Sequence, residues 1–279
     1  MSLDACAALL REHDPERFGI CLLVDPAARP KLLTLYALNL ELARAPLASN
    51  EPLIAEMRLQ WWVERLEAIS AGQAPAHELL AALAEAWGPR GAALAVLAEP
   101  RRRDCLREPH DGPEAVAGYV RETALPLMQF AVEALAGDAS RGGFTPPHPR
   151  GIFSHERTGA AGLNPGLGDV IAAQAEGVGL AQWLAALPAL QGMALGLWDA
   201  APEVLGQIAG MARTRLDAAR IGRRAVPRRL SPVLFAGAQV RPALAAAPLG
   251  IEALAAARPS EFRKRLALIQ LGLTHRWWI

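Results

Sequence analysis

Apolar residues recur at intervals of three and four along most of the chain, as at Leu32, Leu35, Tyr36 and Leu40, and again at Leu59, Trp62, Val63 and Leu66. That spacing lines one face of a helix, and stretches of strict apolar–polar alternation are scarce. The pattern predicts an all-α chain with helices near 2–12, 16–23, 27–44, 52–70, 75–86, 89–107, 113–136, 167–187, 201–221, 231–246 and 260–276. Helix starts are partly legible: Asp25-Pro26, Asn50-Glu51-Pro52 and Pro259-Ser260-Glu261 each offer a capping side chain or a proline for the first turn.

Two stretches depart from this texture. Residues 137–166 carry seven Gly and four Pro, which predicts a long loop inserted into a single domain spanning 1–279. Residues 177–198 contain no charge for 22 positions, long enough to cross a bilayer. Four glycines, Gln182, Gln191 and the central Pro188 make this a poor span, and a buried helix ending near Pro188 is the expected outcome.

Composition adds boundaries rather than identity. At 279 residues, 52% apolar and 20% charged, the chain has the makeup of a globular protein. Twenty-nine basic residues against 28 acidic ones give no overall pull toward nucleic acid. Three cysteines, Cys6, Cys21 and Cys105, are too few for a disulfide framework and suit a reducing compartment. The opening residues lack the basic, then apolar, pattern of a secretion signal, so a cytoplasmic location is expected.

The run DPERF, ARPKLLTLYALNLELAR and EMRLQWWVERLEAI, between Asp14 and Ile69, resembles the squalene/phytoene synthase superfamily. Tyr36-Ala37-Leu38 stands where that family has its Tyr-Ala-Phe segment, and Leu59-Gln60-Trp61-Trp62 matches its Leu-Gln-Trp-Trp segment. The later EAVAGYVRETALPLMQF and VGLAQWLAALPAL are similar to further family helices. The resemblance implies an isoprenoid-synthase-type helical bundle around a central apolar cavity, lined by Tyr36, Trp61, Trp62, Leu180, Trp183 and Leu184. In the family, two aspartate-rich helices hold Mg²⁺ ions that neutralise a departing diphosphate. Here Ala43, Arg44 and Leu47 occupy the first acidic places, and Ala185 and Ala186 occupy the second. Electrostatic contributions of that kind carry about 3–4 kcal/mol per group, so the resemblance implies a member without the condensing reaction and with no metal or cofactor. Leu184, Ala186 and Pro188 follow a Leu-x-Ala-x-Pro pattern similar to that of the mitochondrial assembly factor for respiratory complex I, a degenerate branch of the superfamily. Ala185 departs from the arginine usual there.

Other constellations are weaker. Glu41, Glu56, Glu64 and Glu67 border the expected pocket but read as solvated helix faces. His148 and His155, seven residues apart in the Gly/Pro stretch, do not have metal-ligand spacing. Eight arginines lie between Arg213 and Arg241 against the single acid Asp217. This segment, with Arg223, Arg224, Arg228 and Arg229 at its centre, is either a solvated connection or a contact for anionic lipid or an acidic partner. The lack of interleaved aromatics argues against nucleic acid. In the Trp277-Trp278 pair, one ring must face a boundary, so the pair either packs onto the domain or anchors a partner or membrane surface.

These readings combine into an inactive synthase-like accessory or assembly protein of complex I, NADH:quinone oxidoreductase, with complex I subunits as partners. It is expected to sit on the cytoplasmic face of the inner membrane through that partner, and its cavity to accept an isoprenoid or quinone tail. The alternative is an active prenyl-diphosphate-condensing transferase with non-standard metal ligands.

Overall fold

The computed structural model describes residues 3–72, 77–136 and 165–279, and the Gly/Pro-rich 137–166 segment lies almost wholly outside them. The described chain is built from α1 (Leu3–His13), α2 (Pro15–Leu22), α3 (Arg29–Arg44), α4 (Pro52–Glu67), α5 (Glu78–Trp87), α6 (Arg102–Leu106), α7 (Pro113–Ala136), α8 (Pro165–Gly192), α9 (Pro202–Ile221), α10 (Val240–Ala246), α11 (Ile251–Ala256) and α12 (Glu261–Thr274), joined by short 3₁₀ turns. No strand occurs among the described residues; one isolated bridge pairs His110 with Leu197. The all-α reading holds.

Helix starts follow the local chemistry. Asp14 caps α2 by accepting from the Arg17 backbone N–H at 3.1 Å, and Pro15 follows where a missing N–H loses nothing. Ser260 does the same for α12 through the Arg263 N–H at 3.3 Å. Asp25 instead caps a turn through Ala27 N–H, and α3 begins later, at Arg29.

Three helices differ from the pattern-based expectation. The 89–107 segment is a 3₁₀ run from Gly88 to Leu97, a second turn from Glu99 to Arg101 and the short α6. Pro89 and Pro100 each remove an amide donor, and Gly88 at φ +57° ends α5 in a conformation an L side chain resists. The 231–246 helix is reduced to α10, because Gly237 turns the chain at φ +88° just before it. Conversely, α8 continues past Pro188 to Gly192.

Helix α8 carries residues 177–192 of the uncharged 177–198 stretch. Its best window has a mean hydropathy of 1.3 but is 61% buried within the protein, which makes it a core helix here. Glycines bring its neighbours close. A Cβ on Gly177 would meet Leu216 of α9 at 2.7 Å, and one on Gly179 would meet Val120 of α7 at 2.6 Å. Across the same contact, Glu176 pairs with Arg121 of α7 at 2.9 Å and Arg215 of α9 at 3.0 Å.

Two apolar cores result. Helices α1 to α5 and the C-terminal half of α7 form the first; α3 alone buries Leu32, Leu35, Leu38 and Leu42 completely, each worth about 1.5–3 kcal/mol of transfer free energy. The second joins the N-terminal half of α7 to α8, α9, α10 and α11.

Candidate ligand cavity between two cores

Where the two cores meet, α2, α3, α7 and α8 enclose a cavity of about 460 Å³. Ile20, Val120, Leu127, Met128, Val178 and Phe235 give it apolar walls. Tyr36 reaches it from the buried face of α3, and burial pushes its hydroxyl pKa upward. Trp183 reaches it from α8.

The cavity's charged side chains are Asp14, Glu16, Arg17 and Arg101, two of each sign. Each is engaged by the protein itself. Arg17 donates to Asp14 Oδ2 at 3.1 Å and lies 5.3 Å from the Tyr36 ring centre. Glu16 accepts from the Ala238 N–H at 2.9 Å, tying α2 to the turn before α10; burial nonetheless raises its pKa. Arg101 donates to the Tyr119 hydroxyl at 2.8 Å, and Tyr119 in turn donates to Asp104 Oδ2 at 2.7 Å. Asp104 lies 3.7 Å from Arg101 and is nearly inaccessible, so desolvation raises its pKa against the pull of the arginine.

Behind this trio sits His110. Arg103 Nη1 approaches its Nε2 at 2.9 Å. A guanidinium can only donate, so Nε2 must accept and the ring proton belongs on Nδ1. Burial first, then the charge of Arg103, lowers the His110 pKa to about 4. The ring packs edge-on to Tyr119 and Trp183, with centroids 5.2 and 5.7 Å away. Its backbone exchanges hydrogen bonds with the 196–198 strip, from His110 N–H to Gly196 at 2.8 Å and from Trp198 N–H to His110 at 3.2 Å.

Of the six residues expected to line the cavity, Tyr36 and Trp183 do so. Trp61 and Trp62 face a smaller pocket with Glu41, Arg44 and Arg58, where their rings stack edge-on with each other and with His77. Leu180 and Leu184 are buried in the second core, because the helical turn carries them away from the cavity side of α8. Among the motif positions, Ala43 lines the cavity. Arg44 turns toward Glu41 at 3.7 Å, and Leu47 lies exposed on the 3₁₀ turn after α3. Ala185 is half-buried and Ala186 exposed; the α8 side chains at the cavity, Ala175, Val178, Gln182 and Trp183, come from the preceding turns.

The remaining glutamates stay outside. Glu56 pairs with Arg102 at 3.4 Å, Glu64 accepts from Gln60 at 3.1 Å, and Glu67 is exposed. Among the described residues no three His, Cys, Asp or Glu side chains are grouped to hold a metal ion, and His148 and His155 lie outside those residues. Arg223, Arg224, Arg228 and Arg229 are exposed. Trp277 is not at a surface: it is 2% exposed in the first core, its carbonyl accepting from Ala236 N–H at 3.1 Å. Trp278 takes the boundary, with Arg223 and Arg276 stacked 5.7 and 5.9 Å from its ring.

Sequence reading missed Arg101, Asp104, Tyr119 and His110. Arg101 and Asp104 do have helical i,i+3 spacing, but nothing in the pattern brings Tyr119 and His110 onto them.

Comparison with known proteins places this geometry. The squalene/phytoene synthase family profile matches residues 10–150. Squalene synthase HpnC from Alicyclobacillus acidocaldarius superposes with a TM-score of 0.59 at 18% identity, covering 91% of this chain and 92% of its own. A dehydrosqualene synthase solved in complex with a ligand gives 0.62 at 11% identity, covering 96% and 94%. At these identities the likeness is one of fold, the all-α isoprenoid-synthase bundle. No curated protein sequence matches the chain.

Proposed function

The chain belongs to the squalene/phytoene synthase family, and from that premise we propose that it keeps the family's bundle and cavity without the condensing reaction, serving as an accessory or assembly protein of respiratory complex I. The observation that carries the first half is Ala43. It is the first-motif side chain at the cavity wall, and a methyl group offers no lone pair to a cation. Arg44 would repel one, and Ala185 and Ala186 offer nothing from α8. These residues do not fit the Mg²⁺ ions of the family.

The cavity itself suits binding. Its volume lies within the roughly 300–1,000 Å³ range of small-molecule sites, its walls are more apolar than polar, and its two acids and two arginines sum to zero charge, each held by a partner in the protein. An uncharged isoprenoid, such as a quinone tail, fits that balance better than a diphosphate. The partner is supported by the Leu184-x-Ala186-x-Pro188 resemblance, and it would hold the protein at the cytoplasmic face of the inner membrane. The test is a mild-detergent pull-down from the native membranes with mass spectrometry of the co-purifying chains. Complex I subunits are expected; their absence, with other partners recovered reproducibly, would overturn the assignment.

One observation favours the alternative transferase: Asp14 and Glu16 are carboxylates at the cavity. Both are already occupied, by Arg17 and by the Ala238 N–H. Incubation with farnesyl diphosphate and Mg²⁺ decides it. No condensed product is expected, and a product abolished by Asp14→Asn would establish an enzyme.

A further inference from the structure

Helix α12 packs inward through Leu268 and Leu271 yet carries a second apolar stripe on its outer side. Phe262, Leu266, Ile269 and Leu273 are 73%, 40%, 59% and 79% exposed. At about 100° per residue these four fall within an arc of about 60°. Exposed Arg263 and Arg265 border the stripe on its two sides. The helix's single acid, Glu261, is paired with Lys264 at 2.7 Å. Exposed Leu22 of the adjoining α2 and Leu23 just after it extend the apolar surface, Leu23 lying beside Gly272. Beyond the C-terminal end of α12, the Arg223–Trp278 contact brings in the 222–229 arginines, and Arg276 lies on the same ring.

We propose that α12 seats the protein directly on an anionic lipid surface, with the four apolar side chains entering the acyl boundary and Arg263 and Arg265 meeting phosphate headgroups. An apolar stripe bordered by arginines is the arrangement of an interfacial helix, the long side chains reaching up to the headgroups while their stems stay apolar. Charge decides the occupant. A further exposed stripe among the described residues, Leu53, Met57 and Trp61 on α4, has exposed Glu56 and Glu64 as well as exposed Arg58 and Arg65 around it, so its border carries no net positive charge to draw it to an anionic surface. Lipid contact by α12 needs no complex I subunit and no ligand in the cavity.

The test is co-sedimentation of the purified full chain with phosphatidylcholine vesicles containing about one-third phosphatidylglycerol, beside vesicles of phosphatidylcholine alone. Binding to the anionic vesicles is expected, weakened by salt, and reduced about tenfold or more by the triple change Phe262→Ser, Ile269→Ser and Leu273→Ser. The paired change Leu53→Ser and Met57→Ser should leave it unaltered. Circular dichroism checks the fold of each variant, and Arg263→Glu with Arg265→Glu provides the same readout without altering the apolar stripe. Absence of binding to anionic vesicles, or undiminished binding by both α12 variants, would overturn the proposal. So would a wild-type dimer that the triple variant dissolves, since the stripe would then belong to a second copy of this chain.

Discussion

Two arginine-rich segments, 101–103 and 222–229, look alike in the sequence and have opposite fates in the fold. In the first, every guanidinium has a partner: Arg101 holds Tyr119 and Asp104, Arg102 reaches Glu99 at 3.0 Å and Gln60 at 2.7 Å, and Arg103 meets His110. In the second, Arg223 donates to the Arg220 carbonyl at 3.0 Å and stacks on Trp278, while Arg224, Arg228 and Arg229 form no ion pair among the described residues. Charge density along a chain therefore says little about which charges are free. The acids that three dimensions supply decide it, and in this protein they were supplied at the cavity and not at the 222–229 turns.

The sharpest way to break that contrast is to remove the acid from the cavity cluster. Asp104→Ala leaves Arg101 confined with only a phenol for company, and loss of one member of a buried pair costs about 3–5 kcal/mol. Urea unfolding should show a fall of that size. Adding Tyr119→Phe should cost less than the sum of the single changes, because both side chains serve one network. A loss below about 1 kcal/mol would mean that Arg101 finds water or another partner as readily as the exposed arginines do.

His110 supplies the next effect, through pH. Its pKa in the folded protein, about 4, lies below the ordinary value of about 6.5, so the fold favours the neutral ring. The stabilisation is present above about pH 6.5 and is lost as pH falls toward 4, with a slope of at most about 1.4 kcal/mol per pH unit. Asp104 acts in the opposite sense: its raised pKa favours folding at low pH, and that contribution is lost as pH rises through the folded-state value. Comparing wild type with His110→Gln leaves Asp104 common to both. The variant, whose amide oxygen can still accept from Arg103, should lose less stability between pH 6.5 and 4. Parallel curves would sink the neutral-histidine assignment.

Arg102 marks the boundary between the two regimes. It is paired but partly exposed, and hydrogen bonding to Glu99 is the main reason its pKa rises. Arg102→Ala should lower stability by about 1 kcal/mol, at the upper end of surface pairs, as measured by the urea midpoint.

What the sequence made legible follows the same division between local and distant causes. Amphipathic spacing and proline starts set most helices, because they depend on residues within a few positions. The 89–107 and 231–246 segments escaped that logic, since Pro89, Pro100 and Gly237 broke the helices that spacing alone would continue. Tyr36, Ala43 and Trp183 at the cavity were reached through family motifs. The Trp61-Trp62 pair misled because a motif gives the helix but not the side of it that faces the cavity. The Asp104–Tyr119–Arg101 cluster was illegible for a different reason: its members come from separate elements and acquire meaning only where α6 and α7 meet.

The smallest expected change in stability is the most informative for the exposed segment. Reversing Arg223, Arg224 and Arg228 to Glu removes no ion pair seen in the fold, and Arg223 gives up a carbonyl contact and a ring contact at the surface. Each substitution should therefore shift stability by no more than about 0.5 kcal/mol. Association is another matter, since three reversals change the local charge by six units on a surface that an acidic partner would face. The triple variant should fold as wild type yet recover markedly less of the complex I subunits in the membrane pull-down. Undiminished recovery would show that the 222–229 arginines, although unpaired by any acid among the described residues, are solvated charges and nothing more, and would move the contact to another face of the bundle.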